Sequence, residues 1–240
     1  MSITIKHHKA PDLARPRFTV DGCLDKKLDK FEITSLMNRS TATVFLGRAG
    51  SGKSSLLISL IKTKSLFYKT FHTILLYMPQ NSRQSIKDGF FDKYLPANQI
   101  YDNVTLENLH EGYEIAQANA REDYNTLVIF DDVQSYLKGE CEKFLLHVLN
   151  NRRHARLSLF FACQTYHSIP RQIRQGLTDL FVFKVSKVEM QNIFNELFET
   201  QKDRFIEILQ HVFIKPHDFM YLNTASQRIF SNFNELLIEA

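Results

Sequence analysis

Residues 47–54 read GRAGSGKS and follow directly on the apolar run TVFL at 43–46. After them comes SSLLISLIKTK, whose apolar residues fall on one broad face at helical spacing. A strand, a glycine-rich loop and a helix in that order leave few folds open. The eight residues fit G-x-x-x-x-G-K-[ST] in full, with Gly47, Gly52, Lys53 and Ser54 at the defining positions and Gly50 between them. Glycines let backbone amides turn inward around phosphate oxygens where a side chain would obstruct closure. The helix N-terminus adds partial positive charge at the same place. Lys53 then reaches the β and γ phosphates, and Ser54 sets its hydroxyl on magnesium. The candidate nucleotide-binding residues are Gly47, Arg48, Ala49, Gly50, Ser51, Gly52, Lys53, Ser54 and Ser55, with ATP and Mg2+ as the implied ligands. A glycine-rich turn matching by chance is the competing reading.

A second element is LVIFDD, an apolar strand ending in two acids. Asp131 fits the magnesium-holding carboxylate. Asp132 fits the group that positions or deprotonates the attacking water, a helix cap or loop acid being its alternative role. Aspartate is one methylene shorter than the glutamate usual in hydrolytic P-loop motors, so hydrolysis is expected to require closure by a partner. Gln164, at the end of FFACQT, is expected to sense the γ phosphate and hold the nucleophilic water, because strand ends on that edge of a doubly wound sheet gather around the ligand. Cys163, one residue earlier, should face the other way into the core.

Further apolar runs lie at 71–79 (FHTILLYMP), 157–165 (LSLFFACQT) and 179–185 (DLFVFKV). Helical spacing appears at 107–123, in CEKFLLHVLNNRR and across 188–210, and residues 80–103 read as a long connection with helical fragments. DFMYLNT at 218–224 reads as a last strand or hairpin arm. Strands that are apolar throughout, separated by helices, predict an α/β fold: a P-loop NTPase with a mostly parallel sheet covered by helices on both faces. Residues 1–34 read as an N-terminal arm or small extension carrying a short strand, with TVDGCLDKK as a hairpin or surface loop, and 35–240 as the ATPase domain, 186–240 being its C-terminal portion.

The formal charge is only +4, but its distribution is uneven. Arg152, Arg153, Arg156, Arg171 and Arg174 fall within 147–175, a stretch without Asp or Glu. Two uses are open: a guanidinium crossing a subunit boundary to neutralise the transferring γ phosphate, with Arg153 the first candidate, or contacts to DNA phosphates. Phe130, Phe160 and Phe161 lie in strands and read as core; for Tyr166 and His167, just beyond the FFACQT strand, two readings are open, an ordinary loop role or a contact to nucleotide or DNA. Cys23, Cys141 and Cys163 show no metal-ligand spacing and fit a reducing compartment. No run approaches the ~20 apolar residues of a membrane span, and MSITIKHHKAPDLARP lacks the apolar core of a secretory signal. These features suggest a soluble intracellular protein that is not secreted.

GRAGSGKSSLL, LVIFDDV, the NRRH segment and FFACQTYHSIP, in this order and spacing, resemble the packaging ATPases of large double-stranded DNA viruses and their virophage relatives. That group lies in the FtsK/HerA-like division of P-loop ATPases, and the poxvirus branch is the most similar. The resemblance covers about residues 35–185, and CQTYHSIP is its most specific stretch. It implies a RecA-like core that assembles into a homo-oligomeric ring of five or six copies and drives viral double-stranded DNA into a preformed capsid. A capsid or portal-vertex protein would be the docking partner, and the host cytoplasm, viral factory or virion the location. Lys53 and Ser54 would bind nucleotide and magnesium, Asp131 and Asp132 would form the Walker B pair, Gln164 the polar sensor, and Arg153 the intersubunit arginine. A helicase or replication-associated ATPase, and a nucleotide-gated assembly factor, are the alternatives.

Overall fold

The computed structural model describes residues 3–6, 37, 40–64, 66–86, 89–198 and 204–238. Along these the chain forms β1 (Ile3–Lys6), β2 (Ala42–Leu46), α1 (Lys53–Lys62), β3 (Thr73–Tyr77), α2 (Gln80–Gln84), α3 (Phe90–Tyr94), β4 (Ile100–Tyr101), α4 (Leu106–Arg121) and β5 (Thr126–Asp131). It continues through α5 (Glu140–Asn151), β6 (Leu157–Cys163), α6 (Arg171–Gln175), β7 (Asp179–Phe183), α7 (Lys187–Leu197) and α8 (Phe205–Val212). Three strands follow: β8 (Phe219–Asn223), β9 (Arg228–Ser231) and β10 (Asn234–Ile238). Contacts divide these elements between two compact units, one holding the described residues of 1–38, 44–68 and 178–240, the other those of 39–43 and 69–177. The TVDGCLDKK turn expected at 19–27, and Cys23 with it, lie outside the described residues.

In the second unit the strands run in the order β6-β5-β3-β4, all parallel. Every residue of β5 and β6 is buried, as the continuous apolar runs require of strands shielded on both faces. Helix α4 begins at a reciprocal cap: the Thr105 hydroxyl accepts from the Asn108 amide, and Asn108 Oδ1 accepts from the Thr105 amide. It buries Leu109, Gly112 and Ala116 along one side. The close approach is made at Gly112, where a Cβ would stand 2.6 Å from the Tyr77 hydroxyl. Four rings, Tyr101, Tyr77, Phe130 and Phe161, stack across the four strands at centroid distances of 4.7, 5.0 and 5.2 Å. This row lies one residue before the end of β5 and fixes the register of the edge beyond it. Phe130, Phe160, Phe161 and Cys163 are all core.

The first unit is built differently. Beyond the last residues of β2, β7 begins an antiparallel series β7-β8-β9-β10-β1. Its core is aromatic: Phe45 stacks on Phe181, Phe181 on Tyr221, and Tyr221 on Phe230. DFMYLNT is thus the first of three successive antiparallel strands; β9 and β10 are only 4 and 5 residues long, and the turn between them carries Asn232 at φ 54°. The helical stretch expected at 188–210 is two helices, α7 and α8.

The buried carboxylate of Asp179 organises this series. It accepts from Tyr221 Oη at 2.7 Å, Asn223 Nδ2 at 2.9 Å and Thr178 Oγ1 at 2.7 Å. Burial, together with the neighbouring Asp179 charge and hydrogen bond, holds the Tyr221 hydroxyl well above the usual phenol range. Asp179→Ala would strand the Tyr221 and Asn223 donors in the interior, with an expected cost of about 2–4 kcal/mol. Urea unfolding followed by circular dichroism checks this; a loss below about 1 kcal/mol would deny the network its role.

Among the described residues no helix is long and apolar enough to cross a membrane, and no group of three or more His, Cys, Asp or Glu residues could hold a metal ion. Cys141 is a partly exposed free thiol, and Cys163 is buried.

Candidate functional site

In the first unit, β2 feeds a loop that ends where α1 begins at Lys53. Two of its glycines adopt positive φ, 75° at Gly50 and 108° at Gly52. Gly47 is needed for a different reason: a Cβ there would lie 2.6 Å from Ser51 Oγ and 2.8 Å from Phe183 Cβ. Gly52 caps α1 with no side-chain acceptor, so the first-turn amides have no side-chain partner at the cap. Lys53 is 8% exposed, and its ammonium donates to the Gly47 carbonyl at 2.7 Å and the Arg48 carbonyl at 3.0 Å. An ammonium has three donors, so one is left over. Ser51 Oγ is buried without a hydrogen-bond partner among the described residues. Inward glycines, uncapped amides, a leftover ammonium donor and an orphaned hydroxyl together suit a phosphate chain.

Gly52→Ala would force a non-glycine side chain to φ 108°, with its Cβ 3.2 Å from the Phe183 ring. The expected cost is about 1–3 kcal/mol of local strain, seen as an ATP affinity at least about tenfold weaker in a fluorescent-nucleotide titration. Affinity equal to wild type would mean that the loop conformation does not matter for nucleotide.

Two residues that sequence reading passed over border this loop. Phe183, the last residue of β7, supplies the wall against Gly47 and Gly52. His217 places Nδ1 3.1 Å from the Ser51 carbonyl oxygen. The run of glycines gives no hint of either, since the His217 contact joins residues 166 positions apart.

In the second unit, parallel register brings the ends of β3, β5 and β6 to one edge: Tyr77 aligns with Phe130, Phe130 with Phe161, and Asp131 with Ala162. Asp131 is buried at 4% exposure, and Asp132 is exposed with φ 56°. The Ala162 carbonyl receives the Asp132 amide at 3.4 Å and Gln134 Nε2 at 2.5 Å, tying the turn after β5 to the end of β6. Ser82 Oγ donates to Asp132 Oδ2 at 3.4 Å. Gln164 and Thr165 follow β6 directly and are exposed. Asp131, Asp132 and Gln164 therefore share one edge.

The arginines separate by position and occupation. Arg152, Arg153 and Arg156 precede β6, whose seven residues at ~3.3 Å each put them about 20 Å from the acid-bearing edge. Arg152 is bound to backbone, Nε to the Ser40 carbonyl at 3.0 Å and Nη1 to the Leu149 carbonyl at 2.8 Å. Arg156 pairs with Asp123 at 2.9 Å and also donates to its carbonyl. Arg174 is 8% exposed, donates to the Ile169 carbonyl at 2.9 Å and lies 4.8 Å from the centroid of the buried Tyr166 ring. Burial takes Arg174 away from any exposed basic surface, contrary to the DNA-contact expectation, and Tyr166 is core instead of a ligand contact. Arg153 and Arg171 are exposed. Ser54 and Ser55 are partly exposed at the start of α1.

The family model described as "Poxvirus A32 protein" matches residues 28–231. The vaccinia virus (strain Copenhagen) DNA packaging protein OPG160 is 28% identical over 186 residues, 73% of this chain; the chain spans 64% of that protein's length. Among solved structures, B204, the DNA-packaging ATPase from Sulfolobus turreted icosahedral virus, superposes with a TM-score of 0.61 at 17% identity, covering 85% of this chain and all of B204. The B204 of Sulfolobus turreted icosahedral virus 2, solved in complex with ATP-gammaS, matches with a TM-score of 0.59 at 17% identity, over 85% and 100% of the two chains. At such identities the likeness is one of fold, and it agrees with the α/β class and parallel core expected of the sequence.

Proposed function

Because the chain belongs to the Poxvirus A32 protein family, we propose that it is an ATPase that drives viral double-stranded DNA into a capsid, hydrolysing ATP at the subunit interfaces of a homo-oligomeric ring. The observation that carries the reading is the loop at 47–54, with Gly50 and Gly52 at positive φ and the buried Lys53 ammonium on its carbonyls. The relatives' names, DNA packaging protein and DNA-packaging ATPase, support the assignment of DNA as the moved polymer.

In this reading the loop at 47–54 binds the triphosphate and the acids that end β5 serve hydrolysis. Lys53 trades loop carbonyls for phosphate oxygens. Ser54 and Asp131 are the oxygen ligands suited to Mg2+, which supplies charge neutralisation on the phosphates when bound. Asp132 takes a proton from, or orients, the attacking water, and Gln164 holds that water from the adjacent strand end. Within one copy Arg153 lies at the opposite end of β6 from Asp131, Asp132 and Gln164. A finger role would place it at a neighbouring copy's nucleotide, as the ring reading requires. Arg171 is the remaining exposed candidate for DNA phosphates. A capsid or portal-vertex partner and a viral-factory location follow from the same reading.

The test is ATP hydrolysis with and without duplex DNA, across salt and protein concentration. The proposal expects stimulation that rises with assembly and fades with salt, as phosphate contacts require. Hydrolysis indifferent to DNA under assembling conditions would refute the translocation reading.

A further inference from the structure

The loop before β8 has a geometry that its sequence, Lys215-Pro216-His217-Asp218, does not favour. The Asp218 amide donates to the Lys215 carbonyl at 3.3 Å, closing a four-residue turn with Pro216 second and His217 third. His217 sits there at φ 66°, where a turn with proline second ordinarily takes glycine or asparagine. The conformation is held from outside: Asp218 Oδ2 accepts from the Ile214 and Lys215 amides at 3.1 and 2.6 Å, and Asn232 Nδ2 donates to Asp218 Oδ1 at 3.1 Å. A histidine kept where glycine would be easier asks for a use.

Its contact supplies one. A carbonyl oxygen only accepts, so the 3.1 Å approach of Nδ1 to the Ser51 oxygen makes Nδ1 the protonated nitrogen. The peptide joining Ser51 to Gly52 is planar and trans, so its C=O and N–H point in opposite directions. Anchoring the Ser51 oxygen on the imidazole turns the Gly52 amide away from His217. A second constraint acts at the same place, since a Cβ on Gly52 would lie 3.7 Å from His217 Nδ1 and 3.2 Å from the Phe183 ring.

We propose that His217 is a positioning residue for the nucleotide loop, pinning the Ser51–Gly52 peptide so that the Gly52 amide is aimed at phosphate oxygen. The proposal rests on the reading that this loop binds a triphosphate. It gives the C-terminal meander a part in nucleotide binding that the motif itself does not contain.

Two variants separate positioning from mere structure. His217→Gly relieves the unfavourable φ while removing the imidazole, and His217→Asn keeps both a donor near the Nδ1 position and tolerance of positive φ. Titrating a fluorescent ATP analogue with magnesium, alongside thermal unfolding, the expected result is a melting temperature for His217→Gly equal to or above wild type with ATP affinity weakened about tenfold. His217→Asn should restore most of that affinity. His217→Gly binding ATP like wild type, or losing affinity only together with its fold, overturns the proposal. If wild type itself binds no ATP, the loop reading fails and the proposal with it; if wild type binds and the variants do not differ, the proposal alone fails.

Discussion

Lys53→Ala is expected to abolish ATP turnover while leaving the fold in place. The ammonium is buried in the loop and reaches two of its carbonyls, at Gly47 and Arg48. A methyl group cannot reach phosphate from α1. Removing one preorganised donor from a developing oxyanion costs about 10²–10³ in rate. A full positive charge on the transferring phosphoryl group should cost at least as much, so a loss of about 10³-fold or more is expected. Lys53→Arg should not rescue, because a planar guanidinium is bulkier and cannot act as a compact point charge inside a tight loop. The fold should lose no more than about 1–3 kcal/mol, since one of the two carbonyls left without the ammonium is buried and the other part-buried. Phosphate release under saturating ATP, with circular dichroism on the same sample, reads both; turnover within threefold of wild type would remove Lys53 from the site.

Asp132→Asn is expected to produce the second large loss, confined to kcat. The side chain is exposed on the edge where β5 and β6 end, with Ser82 on one carboxylate oxygen. Asparagine keeps the shape and tolerates φ 56° better than most residues. It cannot accept a proton from water, so the expected fall is about 10²–10⁴, the usual span for a general base. KM should stay near wild type, because nucleotide binding is assigned to the loop at 47–54. Unchanged turnover would reduce Asp132 to a turn residue. Asp131→Asn should differ in kind, its defect deepening as magnesium is lowered, if that carboxylate holds the metal.

The nucleotide loop was legible because its chemistry is contiguous: eight residues carry the bends, the charge and the hydroxyl, and their flanks carry the strand and helix. The parallel strands were legible for a similar reason, since β5 and β6 are apolar along their whole length and end in the polar residues of interest. The antiparallel series at the C-terminus was harder to read. Strands of 4 and 5 residues joined by an Asn232 turn leave too short a pattern, and Glu235 in β10 looks like a surface residue until its ion pair with Arg228 at 2.6 Å is seen.

The arginines teach the sharper lesson. In sequence Arg152, Arg153, Arg156, Arg171 and Arg174 are equivalent members of a basic run. In the fold, backbone carbonyls engage Arg152 and Arg174, and Asp123 engages Arg156. Charge density along a chain does not reveal which guanidinium groups are already committed. His217 is the converse case, an isolated residue whose contact with Ser51 arises only when distant segments fold together.

The central claim is that the amides and ammonium of residues 47–54 seat a chain of phosphates. Equilibrium titration of the purified protein with ATP, ADP, AMP and adenosine, each with magnesium, tests it most directly. The account predicts saturable binding that weakens stepwise as phosphates are removed and vanishes for adenosine. Adenosine binding as tightly as ATP, or no binding of ATP by a folded sample, would contradict it.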